Sequence, residues 1–525
     1  MAACLRVSDG RLVYVLDDPA IHLSIARNLA EHGTWGVVPG HFESASSSPV
    51  WTVILAAGVA VLPAGEEALA LVLNLVAGVA VLALLARAQT VLRPGLRRPL
   101  DALATIVVAV VLLFLPGAAM VGMEHVFHLA LLLVAVPLLL RTAPAASHLR
   151  AVLPYALIAV ATLTRLETAF VAAGLGAALV LEALPWGREA PLPWRPVARR
   201  VVGLGLASGL PLVAYGLVNK AMGQDLLPNS VAAKSESLNG ADRFPEPREV
   251  MERLTLDPLL TVLVGACIAL AIVGWRTRAR WATLGAAVAV TTGLHVTLAQ
   301  VGWYERYQLY LIGLALLALA WAGRDLPASF RLSRPHVIPL LVLVLLLTTT
   351  TKISLTVEAP RGVADTYEQR YQAARFLQRF YDGEPVATGE LGYISLFHEG
   401  PITDFYGLGD HEVLVARREI REPEARKVFW NDLVQRRGVR VAAIYPTNLL
   451  FEVPEQWILV GTWTLPREPF TAYDEHFQFY ATTPEEVAPL TAHLEEFADE
   501  LPDEVTFTLN ELAGYQAAVR MDEGG

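Results

Sequence analysis

The chain has 525 residues, 54% of them hydrophobic and only 18% charged, and a mean hydropathy of +0.44; a soluble protein carries nearer a quarter charged residues. A formal net charge of −10 with no continuous basic stretch excludes nucleic acid as the expected partner. Two cysteines, Cys4 and Cys267, exclude a disulfide framework.

The first 16 residues lack the long apolar core of a signal peptide. Next comes Asp18-Pro19, an apolar stripe of Ile21, Ile25 and Leu29, and then Gly33. This predicts a helix with Asp18 as N-cap, Pro19 as first helical residue and Gly33 as its stop. Such a helix is too short to span and should lie along the membrane surface. Block 50–63 is also too short and reads as re-entrant or interfacial.

Crossing a bilayer takes about 20 apolar residues. Blocks 68–86, 101–118, 125–140, 201–218, 257–275, 281–300, 307–323 and 337–353 meet or approach that. Stretch 151–184 is apolar except for Thr164-Arg165-Leu166-Glu167, and reads as two short spans around a polar turn. The expectation is therefore an α-helical polytopic membrane protein with about ten transmembrane helices.

Alternate short loops hold Arg87, Arg93, Arg97 and Arg98; Arg141 and Arg150; Arg188, Arg195, Arg199 and Arg200; Arg276, Arg278 and Arg280; and Arg324, Arg331 and Arg334. The opposite short loops carry Arg165 and Arg306. Arginine-rich loops face the cytoplasm, which puts the N-terminus, loop 219–256 and the tail outside. An outside N-terminus needs a means of export, so a first transmembrane helix is expected ahead of Met1. A stop codon just upstream would rule it out.

The chain after 358 reads as an acidic globular domain. Residues 361–381 form an amphipathic helical pattern with Tyr367, Tyr371, Ala374 and Leu377 on one side. Strand-like runs at 385–388, 393–397, 439–445 and 457–463 alternate with helical patterns at 421–437 and 484–499, which predicts a C-terminal soluble α/β domain. The expected division is a membrane domain, 1–353, with a first outer loop at 14–50, and an extracytoplasmic domain, 354–525. Asp404 and Asp410 read as solvated loop acids; the domain is expected to pack over the membrane cavity and shape acceptor binding.

On this topology the unusual polar groups gather at the outer face: Asp17, Asp18, Glu43, Glu124, Arg165, Glu167, Asn229, Lys234, Glu305 and Arg306. Asp18 has a helix to cap, whereas Asp17 has no such duty. Adjacent carboxylates suit general-base catalysis, one taking the proton and its neighbour tuning or positioning it. Lys234, Arg165 or Arg306 suit a phosphate. Together they point to transfer from a phosphorylated lipid to a hydroxyl. His125 and His128 read as interface histidines rather than metal ligands, and no metal site or cofactor is expected.

The run from Leu16 through Asp17, Asp18 and Arg27 to Asn28-Leu29-Ala30 resembles the first outer loop of GT-C superfamily glycosyltransferases. It most resembles the bacterial branch that includes mycobacterial arabinofuranosyltransferases. Glu43 with Ser48-Pro49-Val50-Trp51, Gly122-Met123-Glu124, Thr164-Arg165-Leu166-Glu167, Asn229 through Lys234 and Glu305-Arg306-Tyr307 resemble later motifs, in order. Gly389-Glu390-Leu391-Gly392 and Asp404-Phe405-Tyr406-Gly407 resemble the group's outer domain. Pro19 stands where the group usually has alanine.

The resemblance implies a GT-C-like membrane domain and a polyprenyl-monophosphate sugar donor delivered from the outer leaflet. The sugar would pass, with inversion, to a cell-envelope glycan or lipid acceptor. Asp17 would be the base, Asp18 its assistant, and Glu124 would line the same cavity. Arg165, Lys234 and Arg306 would meet the donor phosphate, with Arg27, Glu43, Glu167, Asn229 and Glu305 also on the substrate side. A transporter or flippase for lipid-linked sugars, or an inactive scaffold, are the alternatives. Against transport, the sequence has no internal repeat with matched broken helices. High Ala, Arg and Gly content suggests a GC-rich bacterium, so the expected location is the bacterial inner membrane with the tail in the periplasm.

Overall fold

A computed structural model describes residues 1–62, 65–92, 99–141, 147–184, 192–233, 245–275, 279–325, 337–447 and 453–510. A helix falls on every apolar block: Leu69–Leu92, Pro99–Leu112, His125–Leu139, His148–Thr164, Thr168–Ala183, Trp194–Ala221, Pro258–Gly274, Arg280–Leu298, Leu309–Asp325 and Val337–Asp365. Among the described residues, Glu66–Ala88, Trp194–Ala221 and Arg280–Leu298 are long and apolar enough to cross a membrane. Pro247–Leu256 and Pro258–Gly274, bent by 107°, add a fourth if they count as one span. His148–Thr164 has 17 residues, a rise of about 26 Å against about 30 Å of hydrocarbon. The chain is a multi-pass membrane protein.

The surface agrees with that. On Trp194–Ala221, Val202, Leu206, Leu210, Val213 and Leu217 are all exposed at helical spacing. A stripe of this kind suits lipid and is costly in water.

Local chemistry sets where the helices end. Gly33 takes a left-handed conformation (φ 66°) and donates its N–H to the Asn28 and Leu29 carbonyls, closing Asp18–His32. The helix start differs from the sequence expectation. Asp17 holds the N-cap position, while Asp18 and Pro19 are already helical. Block 101–118 is not one helix. It stops at Leu112, Phe114 turns left-handed, and Leu115–Met120 restarts with a proline in its first turn. The break at Thr164 is as expected, with Arg165 extended between His148–Thr164 and Thr168–Ala183.

The helix Val337–Asp365 continues through a π turn, Thr366–Tyr371, into Gln372–Tyr381. The position taken as a domain boundary thus lies within one helical run that ties the membrane helices to the tail.

The tail holds strands β1 (Val386–Thr388), β2 (Ile402–Asp404), β3 (Val441–Ile444), β4 (Ile458–Thr464), β5 (His476–Ala481) and β6 (Thr506–Leu509), in sheet order β2-β1-β3-β5-β4-β6. β1 pairs in parallel with β2 and β3, while the β5, β4 and β6 pairings are antiparallel. Phe376, Trp463, Phe479 and Phe497 pack together on one face, and Phe405, Trp430 and Trp457 on the other.

Residues 393–397, expected as a strand, lie in the helix Leu391–Phe397. A short apolar run does not by itself tell strand from buried helix. β2, β5, β6 and the helix His411–Glu419 were not anticipated.

Candidate functional site

Two cavities meet where the tail sits on the membrane helices. The first, about 270 Å³, is the more polar of the two. It is lined by Asp17 and Asp18 at the start of Asp18–His32, by Gln300, Trp303 and Tyr307 from the loop after Arg280–Leu298, and by Arg370, Glu390, Tyr406 and Tyr473 from the tail. The second, about 330 Å³, lies among the helices. Its walls are Met123, Phe170, Leu212, Leu226, Val231 and Leu298, with Arg165, Glu167 and Arg306 among them. Gln300 and Tyr307 line both.

Asp17 is fixed by the tail. The backbone N–H groups of Gly392 and Tyr393 donate to its two carboxylate oxygens at 2.6 and 2.9 Å. A Cβ at position 392 would collide with that carboxyl group, so glycine is what allows the approach. Burial raises the Asp17 pKa, against the lowering effect of Arg370 and the two N–H groups. Beside it, Arg370 donates to Glu390 at 2.6 Å. Burial, partly offset by Arg370, pushes Glu390 up to about 7.

Asp18 has a different partner: Arg306 donates to it at 2.5 Å and to the Tyr307 hydroxyl at 3.0 Å. Arg306 is only 2% exposed, yet its Nε and Nη1 have no hydrogen-bond partner among the described residues. Buried guanidinium donors left unpaired are costly. Arg306 is one of the residues lining the second cavity, so an anion bound there would lie beside its guanidinium.

The other predicted residues divide. Arg165 lines the second cavity, but its guanidinium is occupied by Glu124 at 2.6 Å and by Glu167. Glu124 is fully buried behind Arg165 and is not among the residues lining either cavity. Arg27 binds Glu66 and the Leu396 carbonyl. Glu43 accepts the Val37 N–H at 3.0 Å, and Asn229 pairs with Gln224 and His411. Glu305 is bound by Lys352 at 2.6 Å and Gln308 at 2.7 Å. Those four lie off both cavities. Lys234 falls outside the described residues.

His125 and His128 are buried rather than interfacial, His128 lying 2.8 Å from the Thr168 hydroxyl. Asp404 is buried too, accepting three backbone N–H groups from Tyr406, Leu408 and Gly409. Sequence reasoning did not single out Arg370, Trp303, Tyr473 or Gln300 as site residues. Their signal lies in aromatic and polar residues clustering in space, which no local pattern reveals.

By sequence family, residues 361–480 match a domain of unknown function (DUF8728). No curated protein matches the chain. By structure, ArnT from Cupriavidus metallidurans in the apo state aligns with a TM-score of 0.52 at 14% identity, covering 92% of this chain and 96% of that one. The same protein bound to undecaprenyl phosphate aligns with the same score and coverage at 13% identity. The apo oligosaccharyltransferase of Archaeoglobus fulgidus aligns more loosely, with a TM-score of 0.49 at 11% identity over 90% of this chain and 73% of that one. At these identities the likeness is one of fold.

Proposed function

The chain has the fold of the GT-C glycosyltransferase superfamily, and from that premise we propose that it is a membrane glycosyltransferase using a polyprenyl-monophosphate sugar. The observation that carries this is the pairing of the two cavities. An apolar space containing an unsatisfied, buried Arg306 adjoins a polar space containing a backbone-held Asp17. A polyprenyl chain would enter the apolar cavity and its phosphate would meet Arg306. Its anomeric carbon would then lie near Gln300 and Tyr307, facing Asp17.

Asp17 is the better base of the two acids. It is pinned in one orientation and its pKa is raised, which suits proton acceptance nearer neutrality. It takes the acceptor hydroxyl proton as that oxygen attacks the anomeric carbon and the phosphate leaves on the opposite face, with inversion. Asp18 holds Arg306 in place. Arg165, locked between Glu124 and Glu167, fixes the wall of the second cavity.

We place the reaction at the outer face of a bacterial plasma membrane, with ten helices crossing and the tail extracytoplasmic. The acceptor is an envelope glycan or lipid. Supporting the donor half, the ArnT neighbour was solved with undecaprenyl phosphate.

The donor reading is tested by thermal stability of the purified protein with undecaprenyl phosphate or undecaprenol. The phosphate should stabilise wild type and not Arg306→Ala. Equal stabilisation by undecaprenol would remove the phosphate from the account.

A further inference from the structure

The loop that carries Arg306 has an unusual backbone. Gly302, Trp303, Tyr304 and Glu305 all have positive φ, at 86°, 46°, 62° and 60°. Three consecutive non-glycine residues in that region are strained, and such strain persists only where the surroundings enforce it. Here they do. The Gly302 N–H donates to Gln308, the Tyr304 hydroxyl donates to the Leu355 carbonyl while its ring meets Phe114, and Glu305 is clamped by Lys352.

Trp303 alone among the three points outward, 47% exposed, on the wall of the polar cavity. Across the join, Tyr473 of the tail is 44% exposed and lines the same wall, its ring 6.5 Å from that of Trp303 and tilted 33° to it. Arg370, which lines the same cavity, lies over the Tyr473 ring, 5.8 Å from its centre. Leaving two large aromatic rings open to a polar cavity forgoes the gain of burying them.

An interfacial tryptophan usually anchors a helix among lipid headgroups. This one shares its cavity with Asp17, Asp18 and Glu390, which lipid would not suit. Aromatic faces beside carboxylates match one chemistry well. The C–H face of a sugar ring packs on the aromatic face, and its vicinal hydroxyls donate to the carboxylates. Three acids against Arg370, with Arg306 turned to Asp18, make the polar cavity a poor host for anions.

Resting on the transferase reading above, we propose that the acceptor bound in the polar cavity is a neutral glycan, with Trp303 and Tyr473 as its stacking platform and Glu390 as a hydroxyl acceptor. The site bridges the membrane helices and the tail, so acceptor binding requires the two parts docked as they are here. Trp303 and Tyr473 select the acceptor, while Arg306 and the second cavity hold the donor.

The test is saturation-transfer NMR on the purified full chain with a panel of neutral oligosaccharides and the same oligosaccharides bearing uronic acids. Undecaprenyl phosphate stabilisation is measured in parallel. Neutral oligosaccharides should bind wild type in preference to the acidic ones. Trp303→Ala and Tyr473→Ala should each weaken binding about tenfold, roughly 1.4 kcal/mol. Trp303→Phe should keep most of it, and all three variants should still be stabilised by undecaprenyl phosphate.

The proposal is overturned if no neutral oligosaccharide binds, if the acidic ones bind better, or if Trp303→Ala binds as wild type does. Loss of the undecaprenyl phosphate response in wild type would instead count against the donor reading. The two failures are therefore separable.

Discussion

Asp17 and Asp18 are neighbours with opposite surroundings, and the difference predicts different defects. Asp17→Asn keeps the shape but loses the basic oxygen, so turnover should fall by about 10²–10⁴, the usual scale for a lost general base. Donor affinity should hold. Asp18→Asn loosens Arg306 and should act mainly on donor affinity. Arg306→Ala removes charge-assisted hydrogen bonding to the phosphate; one such bond, at about 1.5–3 kcal/mol, means roughly a tenfold to hundredfold loss for undecaprenyl phosphate. Because the Asp17 pKa is raised, the acid limb of the rate profile should lie above the ordinary aspartate range. Gly392→Ala tests the holding device: its methyl group would collide with Asp17, so turnover should drop while the protein stays folded. Activity equal to wild type would mean that the Gly392 contact does not set the base.

At the scale of elements, the segment 14–50 is fastened to the tail, and Glu43 is one of its half-buried acids. Burial is the main cause that pushes its pKa up to about 8, with Asp410 and Asp404 adding to it. The folded pKa lies above the unfolded value of 4.5, so the protonated group favours the fold. That contribution is complete below 4.5 and is lost as pH rises through about 8. Glu43→Gln should therefore raise the melting temperature well above pH 8 and change it little below 4.5. Equal effects at both ends would mean that Glu43 does not titrate in this range.

Helix positions were legible in the sequence because apolar length and Arg-rich punctuation are local signals. The break at Thr164–Arg165 and the stop at Gly33 were legible for the same reason. The partners were not. Arg27 reads as a substrate residue until Glu66 is seen beside it, and Asp17 is held by Gly392, 375 positions away. The run 393–397 misled because residues 391–396 are all buried, which leaves no period to read.

On the scale of the whole molecule, transfer at the outer face requires the tail and the two cavities to lie there. Both native cysteines are buried, so background labelling should be low. In spheroplasts, Glu468→Cys on the exposed tail should react with a membrane-impermeant maleimide, and Arg87→Cys should react only after lysis. The reverse pattern would turn the topology over. The site's chemistry was half visible in the sequence: the acids and Arg306 were singled out, while Arg370, Trp303 and Tyr473 emerge only from the docking of tail on helices.

The central claim is that Asp17 is the base of a sugar transfer to the cell envelope. The measurement that tests it most directly is envelope glycan composition in a deletion strain complemented with wild type or Asp17→Asn, with expression matched. The account predicts that deletion removes one sugar and accumulates its unglycosylated acceptor, and that wild type restores the sugar while Asp17→Asn does not. Full restoration by Asp17→Asn would contradict it, leaving that carboxylate as a fastening between the first outer loop and the tail.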